Sequence, residues 1–188
     1  MDGGAYRGRH STVFRVGDRA IKRFKPGLEV NFRKEVYFLE KLQPYGFVPR
    51  LYGYDDRNLE IEMEFIEGQY IRDIDMGSEE GRKIVERCFE ICYTLDRLGI
   101  QKEEMHRPDR HIIVRNGKPY FIDFERAHET SKPSNVTQFA VYVAKRLGVD
   151  FDDIKEVLGK YKLTYAEKDF EEILRKLGFR TPRPTVKD

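Results

Sequence analysis

Several short stretches of this sequence carry residue types that handle phosphate. Gly3-Gly4-Ala5-Tyr6-Arg7-Gly8-Arg9-His10-Ser11-Thr12-Val13 is a glycine-rich lead into an alternating run, and such a segment can turn backbone N–H groups onto phosphate oxygens. Ala20-Ile21-Lys22 follows on what reads as the partner strand. A lysine fixed by a strand can reach phosphates, and Glu35, beside the apolar face of the next helix, is spaced to hold that ammonium in place. Tyr120-Phe121-Ile122-Asp123 delivers a carboxylate from the end of an apolar strand, where it can serve a divalent metal. Residues 102–111 crowd two Glu, two His, two Arg, a Lys and an Asp into one loop. Taken singly, each of these is an ordinary solvated residue. Their order along the chain is what carries information.

The elements that must position them are legible from periodicity. Ser11–Val16 and Arg19–Phe24 alternate around Gly17-Asp18 and read as a hairpin. Leu28, Phe32, Val36, Leu39 and Leu42 share one face of a helix over 28–42. Residues 51–54 and 59–66 read as further strands, the second alternating as Leu59, Ile61, Met63, Phe65. A helix is expected after Ser78, with Ile84, Cys88, Ile91, Cys92 and Leu95 inward and Gly99 as its stop. His111–Arg115 and Pro119–Asp123 flank Asn116-Gly117, a strong hairpin signal. Three helices complete the chain: one after Asn135 ending at Gly148, one from near Asp150, and one from Thr164 with Glu167 completing a capping box and Gly178 ending it.

Composition excludes several classes. The 188 residues suit one domain or one domain in two small lobes, and can bury a real core. With 35 Lys+Arg against 33 Asp+Glu, the formal charge of +2 lacks the basic excess of a dedicated nucleic-acid binder. The longest wholly apolar stretch, Phe139–Ala144, is far too short to span a bilayer, and Met1-Asp2-Gly3-Gly4 has no apolar signal region. Cys88 and Cys92, the only cysteines, fall on an apolar helical stripe and read as buried reduced thiols. High Lys, Arg and Glu beside only four Asn and four Gln suits a thermophile. A cytoplasmic protein is expected.

In the order of these stretches the sequence resembles the protein-kinase-like superfamily, and within it the minimal RIO-type and small archaeal serine/threonine kinases. Ala20-Ile21-Lys22 is similar to the kinase VAIK strand and Glu35 to the glutamate of the αC helix. Gly8–Val13 resembles the reduced phosphate loop of RIO-type kinases, with Gly8 at a loop glycine and Ser11 where the last glycine usually falls. Met63 stands at the gatekeeper, so that Glu64 and Ile66 would offer backbone groups to adenine. Asp123-Phe124-Glu125 matches DFG at its first two positions. The resemblance implies an α+β, minimal bilobal kinase-like fold. It would have an antiparallel N-lobe over 1–66 with one αC-type helix, a hinge over 64–68, a mostly helical C-lobe over 69–180 and a loose tail over 181–188. It also implies ATP with Mg²⁺ or Mn²⁺, held by Lys22 and by Asp123 as metal ligand.

The catalytic loop departs from the family pattern GIxHxDLxxxN. Counting forward from Gly99-Ile100 puts Glu104 at the catalytic aspartate. Counting back from the strand puts His111 at the metal-binding asparagine and His106 at the aspartate. Asp109 is a third candidate, because His106-Arg107 loosely resembles the start of HRD. A carboxylate or an imidazole can serve as base, so all three stay open. His111 would be a poor Mg²⁺ ligand and a better one for Mn²⁺ or Zn²⁺. Glu125 in the DFG glycine position removes the residue that most readily takes positive φ, which implies a motif held in one state. Only about ten residues separate this motif from the next helix, with no APE-like sequence. A full peptide-docking platform is therefore not expected, and the phosphoacceptor is open between protein and small molecule, with a protein partner possible. The alternatives are an ATP-binding pseudokinase module and a small-molecule kinase of the aminoglycoside or sugar-lipid type.

Overall fold

A computed structural model describes residues 4–180. The expected loose tail, 181–188, and Gly3 lie outside them. The elements run β1 (Ala5–Arg7), β2 (Ser11–Val16), β3 (Arg19–Phe24), α1 (Glu29–Leu42), β4 (Leu51–Asp55), β5 (Glu60–Glu64) and β6 (Gln69–Tyr70). There follow α2 (Glu79–Arg97), β7 (Ile100–Gln101), β8 (Ile112–Arg115), β9 (Lys118–Phe121), β10 (His128–Glu129), α3 (Asn135–Leu147), α4 (Phe151–Thr164) and α5 (Glu167–Lys176). Two compact units divide these, as far as their residues are described: Met1–Asp73 with Asp109–His128, and Ile74–Pro108 with Glu129–Asp188.

The first unit is built on a five-stranded antiparallel sheet in the order β1-β2-β3-β5-β4. The β2–β3 hairpin turns at Gly17, whose φ of 63° suits a residue without Cβ. Phe32, Val36, Leu39 and Leu42 bury one face of α1, joined by Phe38. Leu28 falls at the N-cap and stays half-buried. The strand expected over 59–66 is shorter, and the alternation fails at its end: Phe65 is half-buried while Ile66 is buried. The reason is local, since Phe65 follows the last residue paired to β3, and the Arg15 guanidinium covers its ring at 4.3 Å.

A second sheet of this unit runs β6-β8-β9. Asn116 and Gly117 take φ of 51° and 73° between β8 and β9, the doubly left-handed backbone of the tightest hairpin turn. Gly68 lets β6 approach β8, because a Cβ there would fall 2.1 Å from the Val114 carbonyl oxygen.

The second unit is helical. Ser78 Oγ caps α2 by accepting from the Gly81 N–H at 3.0 Å, and Ile84, Cys88, Ile91, Cys92 and Leu95 are buried as their spacing predicts. Asp96, near the end of that helix, caps α3. Its Oδ1 accepts from the Asn135 backbone N–H at 3.0 Å and side-chain Nδ2 at 2.8 Å, and its Oδ2 from the Val136 N–H at 3.3 Å and the Tyr161 hydroxyl at 2.7 Å. Burial pushes the Asp96 carboxyl above its ordinary range against these four donors. The capping box expected from Thr164 is not formed. Thr164 is the last residue of α4, and α5 starts after Ala166. The threonine hydroxyl instead accepts from the Ala166 N–H at 3.1 Å and donates to the buried Asp169 carboxylate. Among the described residues no helix is long and apolar enough to cross a membrane.

Candidate functional site

Period-two alternation along β3 puts Ala20, Lys22 and Phe24 on its buried face. A charged residue in that row needs partners, and the first unit supplies two. Lys22 Nζ lies 3.2 Å from Glu35 Oε1 and 3.2 Å from Asp123 Oδ1. Lys22 is 6% exposed and Glu35 1%. Glu35 Oε2 accepts from the Phe124 N–H, so the α1 glutamate ties the lysine and the backbone after Asp123 together. Burial alone would lower the Lys22 ammonium, but the Glu35 and Asp123 carboxylates outweigh it and move its pKa up. Burial raises Glu35, opposed by Lys22 and by the Phe124 N–H. His111 Nε2 approaches the other oxygen of Asp123, Oδ2, at 3.4 Å.

These side chains open onto a cavity of about 550 Å³ whose lining comes from the first unit. Lys22, Glu35, His111 and Asp123 line it, as do Gly8 and Ser11 from the β1–β2 turn. Met63, Glu64 and Ile66 line it from the end of β5. The Gly8 N–H is not free to face a ligand, since it donates to the Ser11 carbonyl at 2.8 Å. The Glu64 N–H likewise donates to the Arg50 carbonyl at 2.8 Å within the sheet. Among the described residues no group of three or more His, Cys, Asp or Glu side chains comes together as a metal centre. His111 with Asp123 is the pair the cavity offers.

The three base candidates separate. Asp109 belongs to the first unit, where it is half-buried and its carbonyl accepts from the Arg72 N–H at 3.5 Å. Glu104 and His106 belong to the second unit. Glu103 and Glu104 both carry positive φ, 73° and 57°, an uncommon backbone for residues with a side chain. The chain just before them is firmly held. Asn135 Oδ1 accepts from the Lys102 N–H at 3.0 Å, Asn135 Nδ2 donates to the Ile100 carbonyl at 2.6 Å, and Gln101 Oε1 accepts from the Ser134 N–H at 2.6 Å.

Other residues of this region escape sequence reasoning. His10 Nδ1 pairs with Glu125 Oε1 at 2.9 Å, while Glu125 Oε2 is buried without a hydrogen-bond partner. Arg15 makes a two-pronged contact with Glu67 at 3.3 and 3.0 Å, and Arg115 donates to Glu64 at 2.7 Å. All three pairs join residues more than fifty positions apart in the chain, which no local pattern reveals. Of these side-chain pairs, the sequence marks only Glu64 and Glu125 as unusual positions, and neither partner. The positive φ of this motif also sits elsewhere than its glycine would suggest, at Asp123 with φ 68°.

No protein-family model matches the sequence. The uncharacterized protein MJ1211 of Methanocaldococcus jannaschii is 32% identical over 115 residues, 53% of this chain and 98% of that protein. The KEOPS complex subunit Bud32 of Pyrococcus abyssi is 27% identical over 169 residues, 85% of this chain and 71% of that protein. Among solved structures, WbdD bound to the kinase inhibitor LY294002 matches with a TM-score of 0.63 at 18% identity over 94% of this chain. The chain spans only 45% of the WbdD chain. The Rio2 kinase of Chaetomium thermophilum, in its ADP/Mg²⁺–phosphoaspartate complex, matches with a TM-score of 0.63 at 16% identity, over 93% of this chain and 70% of that one. The chain belongs to the same family as MJ1211, and its α+β fold is that of the protein-kinase-like superfamily, resembling the RIO type.

Proposed function

We propose that this chain is an ATP-dependent phosphotransferase of the atypical, RIO-like protein-kinase kind. One observation carries the reading: a buried lysine held between two carboxylates, Glu35 and Asp123, on the wall of a cavity large enough for a nucleotide. Phosphoryl transfer asks the protein mainly for positioning and charge. Lys22, with an ammonium donor left over from its two ion pairs, takes a phosphate oxygen. Glu35 sets its direction. The apolar Met63 and Ile66 sandwich the base, with backbone groups at Glu64 and Ile66 on its edge, and the turn from Gly8 to Ser11 covers the phosphates.

A magnesium ion fits this donor set, because Mg²⁺ takes one or two carboxylates beside phosphate oxygens and water. Asp123 is the carboxylate, and its exposed share of 30% leaves room for that role. His111 beside it suits Mn²⁺ better. Bound there, the metal would neutralise charge on the transferring phosphoryl group. The base stays open among Glu104, His106 and Asp109, of which Asp109 belongs to the same unit as the cavity. In the step itself the acceptor oxygen bonds to the terminal phosphorus, the bond from that phosphorus to the bridging oxygen breaks with ADP as leaving group, and the base takes the acceptor proton. Substitution of each in turn separates the three.

A second reading has its own support: α3 begins twelve residues after Asp123, too soon for a peptide platform, which favours a small-molecule acceptor or a protein presented by a partner. Bud32 is a subunit of the KEOPS complex, and a protein partner is proposed here by analogy. The compartment is read as cytoplasmic from two buried, unpaired cysteines.

The test is release of labelled terminal phosphate, or autophosphorylation, with Mg²⁺ and then Mn²⁺, comparing the wild type with Asp123→Ala and Glu104→Gln. Turnover lost in Asp123→Ala supports the reading. Nucleotide binding without turnover in the wild type leaves a pseudokinase, and absence of any nucleotide binding removes the assignment.

A further inference from the structure

Charge around the cavity is almost entirely spoken for. Four carboxylates line it: Glu35, Glu64, Glu67 and Asp123. Each already has a cation. Glu35 and Asp123 share Lys22, Glu64 takes Arg115, and Glu67 takes Arg15. Two further arginines line the same cavity, Arg7 and Arg110, and neither makes an ion pair or a side-chain hydrogen bond among the described residues. Both are exposed. Four carboxylates against three paired cations and these two arginines leave one net positive charge, with two guanidinium groups outside the ion pairs. A magnesium-bound nucleoside triphosphate brings roughly two net negative charges to such a site.

The two arginines are not equivalent in position. Arg110 directly precedes His111, whose Nε2 is 3.4 Å from Asp123 Oδ2. The backbone thus brings Arg110 to the carboxylate end of the cavity, whereas Arg7 comes from the β1 end of the turn that carries Gly8. Lys22 has little to spare for a distal phosphate, since two of its three ammonium donors go to Glu35 and Asp123. A planar, permanently charged fork is the group best matched to a phosphoryl oxygen pair.

We propose that Arg110 is a phosphate-binding residue that contacts the terminal phosphate of a bound nucleoside triphosphate. This rests on the nucleotide reading of the cavity and adds to it the residue that distinguishes triphosphate from diphosphate. An anionic group on the acceptor is the competing occupant.

Isothermal titration with adenosine, ADP and the non-hydrolysable AMP-PNP, each with Mg²⁺, decides between them. The wild type is expected to bind AMP-PNP more tightly than ADP. In Arg110→Ala, AMP-PNP affinity falls about tenfold or more, as for loss of a charge-assisted contact, while adenosine and ADP change less than about twofold. Arg110→Lys regains part of the loss, because it restores charge without the fork. Arg110 is exposed, so these variants fold. If Arg110→Ala keeps the wild-type preference for AMP-PNP over ADP, or weakens all three ligands equally, the proposal is wrong although the nucleotide reading stands. If the wild type binds none of the three, both fall together.

Discussion

Replacing Lys22 by Met tests the physical core of the site. Methionine matches the length of the lysine stem, so the change removes charge with little change in volume. It strands the Glu35 carboxylate, 1% exposed, on the Phe124 N–H that donates to its Oε2. Asp123, with 30% of its side chain exposed, can turn to water instead. Breaking one side of a buried ion pair costs about 3–5 kcal/mol, most of it the isolated charge. Lys22→Met should therefore lower unfolding stability by about 3–5 kcal/mol. Adding Glu35→Gln, which keeps an acceptor for Phe124, should restore about 2–3 kcal/mol of that. The loss also has a definite pH dependence. Burial already raises Glu35 above its unfolded value, and without Lys22 the shift grows. The folded variant then holds a proton that the unfolded chain releases, so its stability rises as pH falls through the folded pKa and is lost as pH rises through it. Urea unfolding of both variants and the wild type, at pH 5 and pH 8 with unchanged m-values, reads all of this. A loss below about 1 kcal/mol, or one equal at both pH values, would refute the claim that Glu35 is a buried, lysine-dependent carboxylate.

Three further outcomes follow from the same geometry. Tyr161→Phe removes the hydroxyl that donates to Asp96 Oδ2 and should cost about 1–3 kcal/mol in thermal or urea unfolding; an unchanged midpoint would mean that Asp96 is satisfied without it. Gly68→Ala places a methyl group 2.1 Å from the Val114 carbonyl oxygen, and a loss of about 1–3 kcal/mol is expected from the forced separation of β6 and β8, against no loss if the strands are free to part. His10→Ala leaves the buried Glu125 carboxylate without its hydrogen-bond partner; a loss of about 1–3 kcal/mol that Glu125→Gln in the same chain partly reverses would show the pair at work.

Sequence and structure agree most closely where a signal is local. Helix α1 has its apolar residues at helical spacing, the β8–β9 turn has Asn116-Gly117, and α2 has Ser78 followed by two glutamates. Each of these depends on neighbours within about one turn of chain. Where two local signals compete, only packing arbitrates. Thr164 and Glu167 satisfy a capping-box pattern, yet the helix before Thr164 extends through it and the buried Asp169 takes the hydroxyl. Phe65 satisfies the alternation of β5, yet the ladder has run out and Arg15 covers the ring.

The candidate site divides along the same line. The residue types and their order, Lys22 in an alternating strand, Glu35 beside an apolar helix face, Asp123 after an apolar strand, were determined by the sequence itself, because each is a statement about one element. That the three meet at 3.2 Å was decided by the tertiary structure, since Lys22 and Asp123 are separated by 101 positions and are joined only when β3 and the end of the β8–β9 hairpin come together. The same holds for the ion pairs around the cavity that leave Arg7 and Arg110 outside them. A charge is a property of a residue, but whether it is free to meet a ligand depends on which other charges the fold has placed against it.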